Sequence, residues 1–291
     1  MLNIADIKNR IKSIGDTAKI TKAMQLVSVA KMNKELVKYE SNQAYFKKVK
    51  YTVASILKQS ALKHRYINSR GGDRTAFIVI ASDKGMAGDF NSRVLNLAYS
   101  HIEKLKETYI FTIGMMARDF FLSKGLTIDI EFLHTTQNPT MSDAAKITYD
   151  ILELYDKDLF DKIYVVYTEK TSVVKQFPAI MQLLPVSLET LLPKGADGGG
   201  ELFRGVFRFE PDERSALDVI ITEYLTGVLY STLIQSVAAE HFKRMTTMRQ
   251  ATENARKMVE ELKIKYHRAR QENITTAILE INNGIKLNET H

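Results

Sequence analysis

The last eighty or so residues of this 291-residue chain, from Pro211 to His291, contain no further proline and two glycines, Gly227 and Gly284. Proline breaks a helix and glycine weakens one. A stretch almost free of both, with apolar or small residues at alternating three- and four-residue steps, is expected to be one very long helix. At about 1.5 Å per residue it would reach about 110 Å. The first sixty residues repeat the pattern: neither Gly nor Pro occurs between Gly15 and Gly71, and Ile4, Ile7, Ile11, Ile14 and Ala18 step by 3, 4, 3, 4. That is the seam period of supercoiled helices, so the two ends of the chain are natural partners in one antiparallel coiled coil.

The composition is that of a soluble globular protein, 45% hydrophobic and 26% charged. No run approaches the eighteen or so consecutive apolar residues of a membrane span. The opening MLNIADIKNR has neither an apolar signal core nor an Arg- and Ser-rich transit segment, so the expectation is a protein that stays where it is made. The absence of cysteine excludes disulfides, thiolate metal sites and cysteine nucleophiles. The net charge of +7 is unevenly placed. Residues 1–70 carry 15 Lys and Arg against 4 Asp and Glu, residues 71–211 carry 15 against 19, and residues 212–291 carry 11 against 11. A basic first helix suits a nucleic-acid backbone, an anionic membrane surface or an acidic protein partner, or is simply the solvated face of a long helix.

Residues 71–211 have another texture. TAFIVIAS (75–82), YIFTIG (109–114), LTIDIEF (126–132) and KIYVVYT (162–168) read as strands. Helices are expected at 91–107, at 115–124 with a stop at Gly125, and at 142–156 with Ser142 as N-cap. Strands alternating with helices specify a parallel, Rossmann-like sheet wrapped by helices. Segments 173–186 and 202–209 can add edge strands, with Pro178 and Pro185 holding the first to an edge or a loop, and PKGADGGG (193–200) reads as a flexible tip. The division expected is a coiled-coil helix at 1–70, an α/β domain at 71–211 and a coiled-coil helix at 212–291.

Catalytic chemistry is hard to find. SDKGMAGDFN (82–91) follows the first strand, where a phosphate loop would sit, but it has neither GxxxxGK[ST] nor GxGxxG spacing, and Asp83 and Asp89 bring negative charge; it reads as a structural turn. The six histidines, His64, His101, His134, His241, His267 and His291, include no pair at a metal-ligand step, and no GxSxG elbow is present. Neither a metal, a cofactor nor a catalytic residue is expected. The reading is a protein that transmits or positions, with a nucleic-acid-binding coiled coil and a small nucleotide-binding α/β enzyme as rivals. The seam itself is weakly apolar: Thr21, Gln25, Ser28 and Met32 continue it on the first helix, and Met245, Met248, Thr252, Ala255, Val259, Leu262, Tyr266, Ala269 and Asn273 form it on the last. A free coiled coil prefers Leu and Ile at such positions, so outside support is expected.

Four words of the sequence, KITKAMQLVSVAKM (19–32), SDKGMAGDFN (82–91), FEPD (209–212) and EHFKRMTTMRQATENARKMVEELKIKYHRARQENITTAILEI (240–281), resemble in order and position the gamma subunits of F-type ATP synthases. The likeness spans the chain. It departs at Ala87 and Asp89, where the family usually shows a Cys or small residue and a second glycine, and it lacks the cysteine-bearing insertion of the chloroplast form, so a bacterial type is the nearer likeness. The resemblance implies a rotary shaft in the bore of a hexamer of three alpha and three beta subunits. The α/β domain would lie near the epsilon subunit and the c-subunit ring, and the protein would be peripheral at the cytoplasmic face of a bacterial inner membrane. Proton flow would turn the ring, and the shaft would drive the beta subunits through states of different nucleotide affinity without catalysing anything itself. It also implies partner-binding roles for Lys19, Lys22 and Met24 on the first helix, for Arg270, Gln271 and Thr275 against a beta-subunit loop, and for Phe207, Glu210, Pro211 and Asp212 toward the c-ring end.

Overall fold

The computed structural model describes residues 4–59, 64–170, 175–191 and 207–288. Its elements are α1 (Ile4–Gln59), β1 (Thr75–Ile80), α2 (Phe90–Ile102), β2 (Thr108–Ile113), α3 (Met115–Ser123), β3 (Ile130–Phe132), α4 (Met141–Asp156), β4 (Lys162–Lys170), β5 (Gln176–Leu184), α5 (Leu188–Leu191) and α6 (Glu213–Asn288). Both long helices are present, and α1 ends at Gln59, short of the expected boundary at residue 70. The chain forms two compact units, one of residues 1–28 with 244–291 and one of residues 29–243, so each long helix contributes to both.

In the larger unit a five-stranded sheet runs in the order β3-β2-β1-β4-β5. β1 pairs in parallel with β2 and β4, and β2 with β3, while β5 closes the edge antiparallel to β4. Pro178 lies on this edge strand, where a missing N–H costs little. Alternate residues of the central strands face opposite layers. Phe77, Val79 and Ala81 join Ile110 and Val166 in a core with Val94, Leu95 and Ala98 of α2 and Ala117 and Phe121 of α3. Ala76, Ile78 and Ile80, with Phe111, Ile113, Ile163 and Val165, face α4, Val53, Ala54 and Ile56 of α1, and a row on α6 that includes Leu217, Ile221, Leu225, Leu229 and Leu233. Each such side chain, when fully buried, contributes about 1.5–3 kcal/mol. This apolar row therefore holds α6 to the sheet. Among the described residues, α6 is the one helix long and apolar enough over eighteen residues to cross a membrane, and most of that window is buried in the protein, as in a core helix.

Local details differ from the sequence reading. α4 is capped by Thr140, not Ser142: the Thr140 hydroxyl accepts from the Asp143 N–H at 3.1 Å and the Asp143 carboxylate accepts from the Thr140 N–H at 2.9 Å, a reciprocal capping box. Helix α2 stops at Ile102, short of Glu107. β3 covers three residues; just ahead of it Asp129 N–H donates to the Ile110 carbonyl at 2.9 Å and the Asp129 carboxylate accepts from Ile110 N–H at 2.7 Å. α3 ends as expected before Gly125, whose φ is +74°. Gly114, between β2 and α3, is required: its φ is +93°, and a side chain there would collide with the Ala81 carbonyl. The expected tip at 193–200 and residues 173–174 and 202–206 of the expected edge strands lie outside the described residues, and 207–209 form no strand.

Candidate partner-binding shaft

In the smaller unit the seam is read directly from burial. On α1, Ile7, Thr21 and Ser28 are buried and Ile4, Ile11, Ile14, Ala18 and Gln25 half-buried; on α6, Met248, Thr252 and Ala255 are buried and Met245, Val259, Leu262, Tyr266 and Ala269 half-buried. The two helices meet at a polar pair, Thr21 Oγ1 and Thr252 Oγ1, 2.7 Å apart and buried. Small residues elsewhere leave the seam slender. Gly15, Ala18 and Ala23 stand opposite Val259, leaving an open groove of about 620 Å³ that Lys19, Lys22, Arg256 and Lys263 edge with positive charge against the single carboxylate of Glu260.

The seam then stops. Seventeen residues back from Thr21 is Ile4, where α1 begins, and seventeen on from Thr252 is Ala269. Asn273, the last seam position expected from the sequence, is exposed, as is every residue from Arg270 to Asn282. Arg270, Gln271 and Thr275 are thus presented to the surroundings on an unpaired helix end, where Thr275 Oγ1 donates to the Gln271 carbonyl at 2.9 Å. Ile274, Ile278, Leu279 and Ile281 are 48–65% exposed there, an apolar display left uncovered by the described residues.

The remaining expected residues lie in two places. Lys19 is exposed with its Nζ 3.0 Å from Asp16, Lys22 donates to Gln25 Oε1 at 3.1 Å, and Met24 is half-buried, its carbonyl accepting from Ser28 Oγ. In the larger unit Phe207 stacks on Phe209 at 6.1 Å and packs on the core, and exposed Glu210 lies 3.7 Å from Arg208. Asp212 is the cap of α6: it accepts from the backbone N–H groups of Arg214 and Ser215 at 2.9 and 3.0 Å and from the Ser215 hydroxyl at 2.7 Å. Those bonds, the Ser215 N–H foremost, hold its carboxyl below the usual range. A capping role for Asp212 was missed in the sequence, although D-x-x-S just after a proline is a start signal.

The loop after β1 is closed on itself. Ser82 N–H and Ser82 Oγ both reach Asn91 Oδ1 at 3.0 Å, Asn91 Nδ2 donates back to Ser82 Oγ, and Asp83 Oδ1 accepts from Met115 N–H at 3.2 Å. In doubly wound sheets the ligand crevice lies at the carboxyl ends of the strands where the order reverses, here between β1 and β4. α6 fills it. Ser236 Oγ accepts from Thr168 N–H at 3.1 Å, Gln235 Oε1 accepts from Lys170 N–H at 3.3 Å, Ala239 packs on Ala87 and Phe90, and Lys243 Nζ lies 2.8 Å from Asp89 Oδ1. The cavity left beside them is about 10 Å³. The filling by α6 could not be seen in the sequence, because each of its contacts joins residues more than sixty positions apart. Among the described residues, no group of three His, Cys, Asp or Glu is placed to hold a metal ion.

Long terminal helices that pair along a narrow seam, one of them overrunning the other, with a doubly wound domain whose ligand crevice is closed by its own chain, define a stalk-type assembly subunit. The sequence profile of the ATP synthase family matches residues 3–286. Over 285 residues the chain is 38% identical to the ATP synthase gamma chain of Alkaliphilus metalliredigens, covering 97% of this chain and 98% of that one. It is 32% identical over 294 residues to the sodium-ion-specific ATP synthase gamma chain of Acetobacterium woodii, covering 97% of each. The fold is shared with chains in the Euglena gracilis mitochondrial ATP synthase, solved with OSCP, F1 and c-ring (TM-score 0.67, 14% identity, 97% of this chain and 93% of that one), and in the Tetrahymena thermophila central stalk and c-ring (TM-score 0.61, 20% identity, 80% and 99%). The chain belongs to the gamma-chain family of ATP synthases. As such it is a part of the membrane-associated synthase complex, and the nucleic-acid reading finds no support.

Proposed function

We propose that this chain is the central rotary shaft of an F-type ATP synthase, coupling ion-driven rotation of a c ring to conformational cycling of the beta subunits. Its partners are the three-alpha three-beta hexamer, the epsilon subunit and the c ring, and it sits at the cytoplasmic face of a bacterial inner membrane. It has no catalytic site of its own. The observation that carries the reading is the end of α6: thirteen consecutive exposed residues from Arg270 to Asn282 on a helix that has outrun its partner, within a gamma-chain family sequence. Such an end needs a sleeve.

In that sleeve Arg270 and Gln271 present a guanidinium and an amide to a beta-subunit loop, with Thr275 one turn on. Lys19 and Lys22 edge the basic groove of the smaller unit, which suits acidic loops of the beta subunits, and Met24 lies half-buried on the same helix. Phe207, Glu210 and Asp212 serve the c-ring end, Asp212 by fixing where α6 begins. The domain division is a coiled-coil segment at 1–70, whose helix α1 ends at Gln59, an α/β domain at 71–211 and a coiled-coil helix at 212–291, the two helices working as one shaft. Rotation acts by differential contact: each orientation of an asymmetric shaft favours one conformation of each beta subunit. The driving ion is met by other subunits, so a gamma chain of this kind serves proton- and sodium-driven machines alike.

The test is co-expression with the alpha and beta subunits of the same operon, followed by size-exclusion and an ATPase assay. A ternary complex with ATPase activity is expected, and the free chain should have none. Failure to co-elute would refute the proposal. Arg270→Ala with Gln271→Ala should lower coupled activity several-fold in the complex while the free chain keeps its helicity, because both side chains are exposed; a melted free chain would indicate a structural role instead.

A further inference from the structure

We propose that Asp89 and Lys243 are a positioning pair that fixes the rotational setting of α6 on the α/β domain, so that torque passes between sheet and shaft without slip. The inference rests on the shaft reading above. The contacts that fill the crevice fall on one face of α6 at helical spacing: Gln235 and Ser236, then Ala239, then Lys243. The first two fix the helix along its axis by accepting from the backbone at the end of β4. Lys243 does something different. It is the last residue of the larger unit, beyond which α6 belongs to the other, and its partner is on the loop after β1.

Geometry makes this the contact most sensitive to twist. A side chain tip rides about 5–6 Å from a helix axis, so turning α6 by about 30° would carry Lys243 Nζ about 3 Å sideways and break a 2.8 Å contact. Ala239, smooth and buried, tolerates such a turn far better. Asp89 is well placed to hold one cation: Arg93, one turn along α2, lies 3.9 Å from its other oxygen, and Lys243 is the group that chiefly holds its carboxyl below the usual range. The pair is half-exposed, 52% at Asp89 and 29% at Lys243, so it adds little to stability beside the apolar row of α6. Its effect is therefore on setting, and belongs in coupling and local motion.

The experiment uses the whole synthase in inverted membrane vesicles, with ion uptake per ATP hydrolysed as readout, and the free full-length chain for hydrogen exchange. Asp89→Asn and Lys243→Gln should each lower the uptake-to-hydrolysis ratio about threefold and speed amide exchange around residue 243 by about the same factor, the size expected of a half-exposed pair. The double variant should be no worse than either single one, Lys243→Arg should restore both readouts, and the melting temperature of the free chain should stay put. Unchanged ratios and exchange, additive effects in the double variant, or a fall in melting temperature that tracks the loss of coupling would each overturn the proposal. Should the unaltered chain form no complex with alpha and beta subunits, the shaft reading fails, and the exchange measurement on the free chain still decides whether the pair sets the helix.

Discussion

Two glycines inside the long helices meet opposite surroundings. A Cβ added at Gly15 finds nothing within 4 Å, whereas one at Gly227 would overlap the Phe46 ring, which is set edge-on to Tyr230 at 6.2 Å. Gly15→Ala should therefore stabilise the free chain by about 0.5–1 kcal/mol through helix propensity alone. Gly227→Ala gains the same propensity but incurs overpacking of about 1–3 kcal/mol, leaving a net loss on the order of 1 kcal/mol. Urea midpoints of the two variants should move in opposite directions; movement of both upward would show that Phe46 yields freely. A second residue-scale effect concerns His64, buried among Asp218 and Arg214 of α6 and Arg65 and Tyr66 of its own segment. Its Nδ1 accepts from Tyr66 N–H at 3.3 Å, so its proton sits on Nε2, 3.1 Å from Asp218 Oδ1 though not aligned into a hydrogen bond. Burial lowers its pKa; Asp218 opposes this, and Arg65 and Arg214 reinforce it. With the folded value below the ordinary 6.5 or so, the unfolded chain binds the proton first as pH falls. Stability present above about pH 6.5 should be lost on acidification until the folded value is passed. His64→Gln should flatten that slope between pH 7.5 and 5.5 in denaturation midpoints, and a slope that persists would assign it to other groups.

At the scale of elements, the seam of the smaller unit is held in register by one buried polar pair. Thr21 and Thr252 share a 2.7 Å contact, and each hydroxyl can also reach a carbonyl of its own helix, Thr17 at 3.0 Å and Met248 at 2.8 Å. Each hydroxyl has one proton, so one of the two donates across the seam and the other back to its helix. Thr21→Val and Thr252→Val should each cost about 1 kcal/mol, and the double variant less than their sum; additivity in a double-mutant cycle would deny the pair its coupling. The seam was legible in the sequence because its period survives even where the residues are Thr, Ser and Ala, since a step of 3, 4 names a face whatever fills it. Strands β1, β2 and β4 were legible as unbroken apolar runs. Short-range chemistry was less so: Thr140 caps α4 with an apolar Met141 between it and Ser142, and Asp129 adds a side-chain bond to its backbone bond with Ile110 just before β3. The filling of the crevice was not legible at all. Its one trace is Gln235 and Ser236 as polar residues on an otherwise apolar face, and nothing local says that they answer Thr168 and Lys170.

For the molecule as a whole, the question is which parts serve the fold and which serve partners. The larger unit is closed: both faces of its sheet are covered and its crevice is filled. The smaller unit is open, with a basic groove and a helix end that no described residue of the unit covers. Burial decides where the boundary between folding and binding falls along α6. Ala269 is the last half-buried residue opposite the start of α1, and beyond it the backbone makes its own helical bonds while every described side chain to Asn282 stands in solvent. A chain ending at Ala269 should then unfold at the same denaturant midpoint as the full chain to within about 0.5 kcal/mol, the scale of surface changes, and lose helical signal only in proportion to the residues removed. A chain ending at Val259 also loses Leu262, Tyr266 and Ala269 from the seam and should be destabilised, since the facing Ile4, Ile7 and Ile11 become exposed. In the complex the order of effects differs: the Ala269 truncation, silent in the free chain, should already reduce coupled activity, because it removes Arg270, Gln271 and Thr275. Circular dichroism of the free chains beside ATP-driven ion uptake of the assembled enzymes separates the two. If removal of residues 270–291 lowered the midpoint of the free chain as much as it lowered coupling, the helix end would be part of the fold and not a surface kept for a partner.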